Sequence, residues 1–350
     1  MKPTVHDIAS HAGVSLATVD RVLNNRPGVR QQTRDRVVAA MERLGYVRDV
    51  AAANLARRRL YDFDFIMPLN ANPFMQALRR GVAEAAAHAL PDRARIHLHD
   101  VPAFDDAALS AALDRALRRR PDGVAFVALD TARVQAAVRR LKATGIGVVT
   151  LVSDLSAEDR DHYVGIDNIA AGRTAASLLG RFLRRPGRLA IMAGSLKVRD
   201  HRERLEGFLA VMGAEFPGLR PDPALEGRDS GTEVERILAP VLTDPDLAGL
   251  YSLGAGNDGL MRALQRAGRQ ALPVVVHELD PDTVRALKSG LIDAALVQDP
   301  GHEIRSAVRI LRAHADRLPV IADQERIRIE IYLRDNLPPE GGPPPQEGEA

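Results

Sequence analysis

The sequence predicts two unlike parts: an N-terminal all-α helix-turn-helix head and an α/β body of two Rossmann-like lobes. Three observations carry this. The first sixty residues hold short helical patterns broken by a glycine turn, with no alternating strand pattern. From Asp62 onward, short runs rich in Val, Ile and Ala alternate with helical stretches, as parallel sheets covered on both faces require. Charge is also segregated. Residues 1–60 carry 11 Lys/Arg against 5 Asp/Glu, and the rest of the chain carries 37 against 41. A basic head on a slightly acidic body fits phosphate binding by the head alone.

In the head, Thr4 is placed to cap a first helix, with Asp7 standing in for the usual Glu of a capping box. Ile8, Ala9 and Ala12 give that helix an apolar side. Gly13 supplies a position where φ can be positive, so the helix can stop and the chain can turn. Ser15 suits the N-cap of the next helix. Val19, Val22 and Leu23 face inward at helical spacing, which leaves Leu16, Ala17, Asp20 and Arg21 outward near the helix start, where such motifs meet base edges. A third helix is expected from about Gln31 to Leu44, with Val37, Val38, Met41 and Leu44 buried and Gly45 as its stop. Residues Asp49–Leu60 have good helix propensity but are too few to be stable alone. They read as a segment that becomes helical when docked, or as a basic linker.

In the body, strands are expected at Phe63–Leu69, Arg95–His99, Gly123–Ala128, Gly147–Val152, Tyr163–Ile166, Arg188–Ala193, Gly249–Leu253, Pro273–His277 and Asp293–Gln298. Helices between them begin near Phe74, Asp106, Ala132, Ile169, Arg199, Gly231, Asp258, Asp282 and His302. One continuous sheet is an alternative, but 350 residues suit two lobes better. Such lobes bind ligands at the C-terminal ends of their strands. The chain is expected to cross between them near Ser153–Tyr163, Asp282–Ile292 and Leu318–Glu325. The boundaries are then 1–46 for the head, 47–60 for the hinge, 61–333 for the body and 334–350 for a tail of Pro, Gly and Glu, expected to be disordered.

The string from Thr4 through Tyr46 resembles the head of the lactose-repressor (LacI-type) family of transcription regulators. The matching pieces are Ile8-Ala9, Ala12-Gly13-Val14-Ser15, Ala17-Thr18-Val19, Arg21-Val22-Leu23-Asn24, Thr33-Arg34 and Leu44-Gly45-Tyr46. Asp20 departs from the family's usual Ser, and Arg30 stands where a capping Ser is usual. The resemblance implies binding of double-stranded operator DNA by a homodimer, or by a tetramer. It implies DNA contacts from Thr4, Ser15, Leu16, Ala17, Thr18, Asp20, Arg21 and Asn24, with Asn54 and Leu55 in a hinge helix. It also implies a periplasmic-binding-protein-like body that takes a small sugar-like effector between its lobes. On the strand ends it assigns Asn72 and Phe74 of an Asn-Pro-Phe turn, Arg204 of an Arg-x-x-Gly-Phe helix, Asn257, Glu278, Gln298 and, with weaker support, Asp154. Arg202 and Glu203 fit a solvated charged face better than Arg204 does. The function implied is a sugar-controlled regulator, in the first place a repressor, of carbohydrate uptake or catabolism genes.

Other chemistries find less support. Gly254-Ala255-Gly256-Asn257-Asp258-Gly259 fits Gly-x-Gly-x-x-Gly, with Glu278 at the distance of a ribose-binding acid. That leaves a dinucleotide-binding enzyme or redox sensor with a DNA-binding head as the rival reading, although Asp258 would oppose a pyrophosphate. His97 and His99 share a strand face and could meet a metal, but no third ligand is near in sequence. No Cys, Gly-x-Ser-x-Gly elbow or Ser-His-Asp arrangement points to nucleophilic catalysis. The expectations are therefore no enzyme activity, no cofactor and no metal. No apolar run approaches the ~20 residues that cross a membrane, and Lys2–His11 is polar. A cytoplasmic protein without a membrane partner is expected.

Overall fold

A computed structural model describes residues 3–23, 26–46, 59–70, 72–91, 93–156 and 159–339. The chain divides into two compact units, residues 1–59 and 60–350.

The head holds α1 (Val5–Ala12), α2 (Leu16–Leu23) and α3 (Gln31–Leu44). Thr4 and Asp7 form the expected capping box. Gly13 takes φ 60° and its amide returns to Ala9 and Ser10, so α1 ends in a left-handed cap. Ser15 caps α2 by accepting from the Thr18 amide at 3.2 Å. Arg36 of α3 donates to the carbonyls of Ala12 and Gly13, at 2.5 and 3.3 Å, and so fixes the turn. Ile8, Ala12, Val19, Val22, Val37 and Ala40 make the core. Val38 does not join it, being 42% exposed. With Val37 at the centre of the buried face, Ala40, Met41 and Leu44 follow at helical spacing and Val38 is turned 100° away. Residues 47–58 of the hinge, Asn54 and Leu55 among them, lie outside the described residues, as does Asn24.

In the body, β1 (Tyr61–Leu69), β2 (Ala94–Pro102), β3 (Gly123–Val127), β4 (Gly147–Leu151) and β5 (His162–Val164) form a parallel sheet in the order β2-β1-β3-β4-β5. The helices linking them are α4 (Pro73–His88), α5 (Asp106–Arg119) and α6 (Ala132–Ala143). A second set of strands comprises β6 (Gly187–Ala193), β7 (Leu219–Pro221), β8 (Leu225–Glu226), β9 (Leu247–Ser252), β10 (Val274–His277), β11 (Ala294–Val297) and β12 (Glu330–Tyr332). They are ordered β12-β11-β10-β9-β6-β7, with β8 also on β6 and β12 joining antiparallel. Their helices are α7 (Asn168–Phe182), α8 (Arg199–Glu215), α9 (Gly231–Val241), α10 (Asn257–Arg266) and α11 (Pro281–Ser289). β3, β4 and β10 are buried along nearly their whole length, which is why they read as continuous apolar runs. β7, β8 and β12 escape sequence reading because each is two or three residues long with no apolar alternation.

Two crossings differ from expectation. β5 still belongs to the first sheet, so the chain first changes lobe over residues 165–167. The second change comes at residues 298–299, where β11 hands over to α12 (Pro300–Asp316), and not at Asp282–Ile292. α12 packs against α4 and the first sheet, whereas α11 stays with the second lobe. The Pro-initiated start of α11 resembles a break in pattern but only opens a helix. The third crossing falls between Asp316 and Glu330, as expected.

Candidate functional site

The C-terminal ends of strands from both sheets meet in one cleft, as the topology of open parallel sheets requires. From the first lobe come Asn70, Asn72 and Phe74 after β1, Phe104 after β2, Leu129 after β3 and Ser153 after β4. From the second come Asp200, His201 and Arg204 on α8, Asp229 beyond β8, Glu278 after β10 and Gln298 after β11. Asn72, Phe74, Arg204, Glu278 and Gln298 are thus brought together from positions far apart in sequence. Phe104, Val152, Asp229 and Glu278 all line the cleft with φ between 57° and 67°. Such backbone costs about 1–3 kcal/mol per residue and collects where geometry serves a ligand.

Arg204 is 3% exposed. Its Nε donates to Asn168 Oδ1 and its Nη1 to the Leu253 carbonyl, both at 2.9 Å. Helix α8 reaches this position because glycines remove the Cβ at its crossing with α7. A Cβ on Gly172 would overlap the Arg204 carbonyl, and one on Gly207 the Ile169 carbonyl. Phe208 then stacks on Tyr251 at 4.6 Å between ring centroids. The Arg-x-x-Gly-Phe pattern is thus one packing device that delivers a guanidinium.

Acceptors surround it. Asp200, one helical turn before Arg204, is buried and its Oδ1 has no partner among the described residues. Gln298 donates to Glu278 Oε1 at 2.8 Å, which leaves its own Oε1 unpartnered. Burial pushes the Glu278 carboxyl up from 4.5 to about 7, against the opposing pull of Arg204 and Gln298. Glu303, fully buried near the start of α12, has neither oxygen partnered. Burial, then the nearby Glu278, raises its carboxyl well above the usual range. Burial likewise drives His277 well below the usual imidazole range, and its Nε2 meets the Tyr251 hydroxyl at 2.9 Å. Asp200, His201 and Asp229 were not expected here. Asp200 and His201 carry a signal, being four and three residues before Arg204 on one helix face. Asp229 lies in a loop with no periodicity.

Glu278 gives a pH test. Its folded pKa lies above its unfolded value, so the stability it contributes is full below 4.5 and is lost as pH rises through about 7. The loss should be about 2–3 kcal/mol over that window. Urea unfolding of the chain from pH 5 to 8 should show this decline in wild type and a flatter profile in Glu278→Gln. Parallel profiles would remove Glu278 as its source.

Two expected residues do not reach the cleft. Asp154 turns to Thr150 Oγ1 at 2.7 Å and Arg160 Nη2 at 2.5 Å. Asn257 accepts from Ser252 at 3.0 Å and donates to the His277 carbonyl at 2.9 Å, so both ends of its amide serve the fold. The glycine-rich stretch around it is also committed to packing. A Cβ on Gly259 would overlap Gly231, and one on Gly254 would overlap Gly194. His97 and His99 turn to Asp62 and Asp64 at 2.9 and 2.8 Å, and Arg119 pairs with both aspartates. No group of three or more metal-ligating side chains is found among the described residues.

The lobes are tied across the cleft mouth. Asn72 Nδ2 donates to Asp229 at 3.1 Å while its Oδ1 caps α4. Arg202 is exposed, as expected of a charged helix face, and also reaches Asp130 of the first lobe at 3.0 Å. The Arg199 amide donates to the Ser153 hydroxyl at 3.2 Å.

In the head, Leu16, Ala17 and Arg21 of α2 are exposed, and Asp20 pairs with Arg26 at 3.3 Å. Thr18 shares its hydroxyl with Ser15 at 2.9 Å. The outward face of α2 is therefore apolar at its start and charged after it.

Comparison with known proteins agrees with both parts. Residues 4–49 match the family of bacterial regulatory proteins of lacI type, and residues 63–318 match the periplasmic binding protein domain. The chain is 29% identical to catabolite control protein A of Priestia megaterium over 244 residues, 68% of this chain and 70% of that one. It is 30% identical to the transcriptional regulator MalR of Streptomyces coelicolor over 217 residues, 61% of this chain and 60% of that one. Among solved structures, an ABC transporter solute-binding protein from Agrobacterium vitis, bound with alpha-D-tagatopyranose, aligns with a TM-score of 0.69. It is 25% identical and covers 79% of this chain and 95% of its own. With a capped helix-turn-helix head and a two-lobed body that gathers polar strand ends into one cleft, the chain belongs to the LacI family of DNA-binding transcription regulators.

Proposed function

We propose that this regulator represses genes of carbohydrate uptake or catabolism under the control of a hydroxyl-rich effector bound in the cleft, and that it acts as a cytoplasmic homodimer without catalytic activity. The observation that carries the effector reading is the convergence of Asn72, Arg204, Glu278 and Gln298, from four separate strand-helix units, on one strained cleft. Hydroxyl groups both donate and accept, which suits a wall of mixed amide, carboxylate and guanidinium groups. The sugar-bound relative supports the same reading. Effector binding changes DNA affinity only as far as it favours one lobe arrangement over another, and the ties at Asn72–Asp229 and Arg202–Asp130 are the contacts such a shift would make or break.

The DNA reading is tested in the head. Operator half-sites selected from a random library should contain one base pair whose preference disappears in Arg21→Ala, with a loss of about 1–3 kcal/mol measured by fluorescence anisotropy at fixed salt. An unchanged preference profile would place the reading face elsewhere on α2.

A further inference from the structure

The two walls of the cleft differ in chemistry. The second-lobe wall is polar and, apart from Arg204 and His201, mainly acidic, with Asp200, Asp229 and Glu278 lining it, and Asp105 adds a fourth carboxylate from the first lobe. Two acceptors in this wall are more than nine-tenths buried and unpartnered, Asp200 Oδ1 and Gln298 Oε1. The one guanidinium already spends two of its nitrogens on Asn168 and Leu253. A phosphate or carboxylate would bring more acceptors and more negative charge to a wall already rich in carboxylates. Unmet buried acceptors are costly, so the ligand has to supply O–H or N–H groups.

The first-lobe wall is apolar well beyond what the flat face of a sugar needs. Phe74 and Phe104 stand with Val101, Leu109, Leu129 and Val152 along the first-lobe side of the cleft, an apolar recess at the ends of β2, β3 and β4. A monosaccharide edge carries hydroxyls all round, and those pointing into this recess would lose their hydrogen bonds.

We propose that the cleft takes an unphosphorylated glycoside with a hydrophobic aglycone, its sugar hydroxyls donating to Asp200 and Gln298 and its aglycone lodged among Phe74, Phe104 and Leu109. This rests on the reading of the cleft as the effector site and narrows the effector's class.

The test uses the full chain and matched sets of probes: D-glucose, D-galactose, D-mannose, D-xylose and L-arabinose as free sugars, as both phenyl glycosides, and as terminal phosphates. Thermal shift finds the binders and isothermal titration ranks them. In at least one set the phenyl glycoside should bind about tenfold or more tightly than the free sugar, with no detectable binding of the phosphate. Phe104→Ser should shrink that ratio toward one, and Asp200→Asn should weaken the phenyl glycoside. A phosphate that binds more tightly than its free sugar overturns the proposal while leaving the hydroxylated-effector reading standing. So does a set in which the free sugar binds and its phenyl glycosides bind no better. Absence of binding by every probe overturns both together.

Discussion

Gly207→Ala should destabilise the body by about 3 kcal/mol or more, whereas Gly213→Ala in the same helix should stabilise it by about 0.5–1 kcal/mol. The same methyl group is added in both cases, so propensity alone predicts the same gain twice. The surroundings decide the sign. At Gly207 the new Cβ would overlap the backbone carbonyl of Ile169 and crowd the Arg173 amide, neither of which can move without separating α7 from α8. At Gly213 nothing lies within 4 Å. Overpacking against backbone costs more than the usual ~1–3 kcal/mol of a strained core, because no side chain can rotate away. The separation would also draw Arg204 off Asn168. Urea midpoints of the two variants, with unchanged slopes, check this. A mild effect at Gly207 would mean that the α7–α8 crossing is loose and that Arg204 is held by other means.

The same helix shows what sequence could and could not disclose. Its motif marked Arg204, and the strand-helix alternation located the other strand ends, because parallel sheets carry their chemistry at one edge. Asp200 and His201 went unassigned although helical spacing places them on the face of Arg204. Asn257 and Asp154 were legible as polar strand-end residues but not as satisfied ones. Their partners, His277 and Arg160, are fixed by tertiary packing that spacing does not record. Arg202 is solvated as its spacing implies, but its partner Asp130, 72 residues away, was not legible for the same reason. The apolar recess was the least visible. Phe104, Leu109 and Leu129 come from two loops and a helix, and each alone reads as an ordinary core residue. Chain crossings followed the same logic. The late switch at residues 298–299 depends on which sheet α12 covers, and an amphipathic helix carries no label for that.

Arg204→Ala should cost about 3–5 kcal/mol of stability at pH 8 and clearly less at pH 5, and should weaken the tightest ligand of the glycoside panel at least a hundredfold. The buried guanidinium satisfies Asn168 and Leu253 and offsets the field of Asp200, Glu278 and Glu303. Truncation leaves two acceptors unpaired and several carboxyls without a counter-charge, the situation in which breaking a buried ionic contact is most costly. The pH dependence separates the two causes. Lost hydrogen bonds cost the same at any pH, but the charge imbalance vanishes once the carboxyls are protonated. Glu278 already stands near 7 with Arg204 present, because burial outweighs that attraction. Without the guanidinium its folded value rises further, so the stability it contributes is lost over a window extending above pH 7. Arg204→Lys keeps a charge without the planar fork, and should recover most of the pH 8 loss but little of the ligand affinity. Urea unfolding at pH 5 and pH 8, with isothermal titration at each, distinguishes these outcomes. A loss of stability equal at both pH values would show that Arg204 acts through its two hydrogen bonds alone, and that the acidic wall of the cleft is held neutral without it.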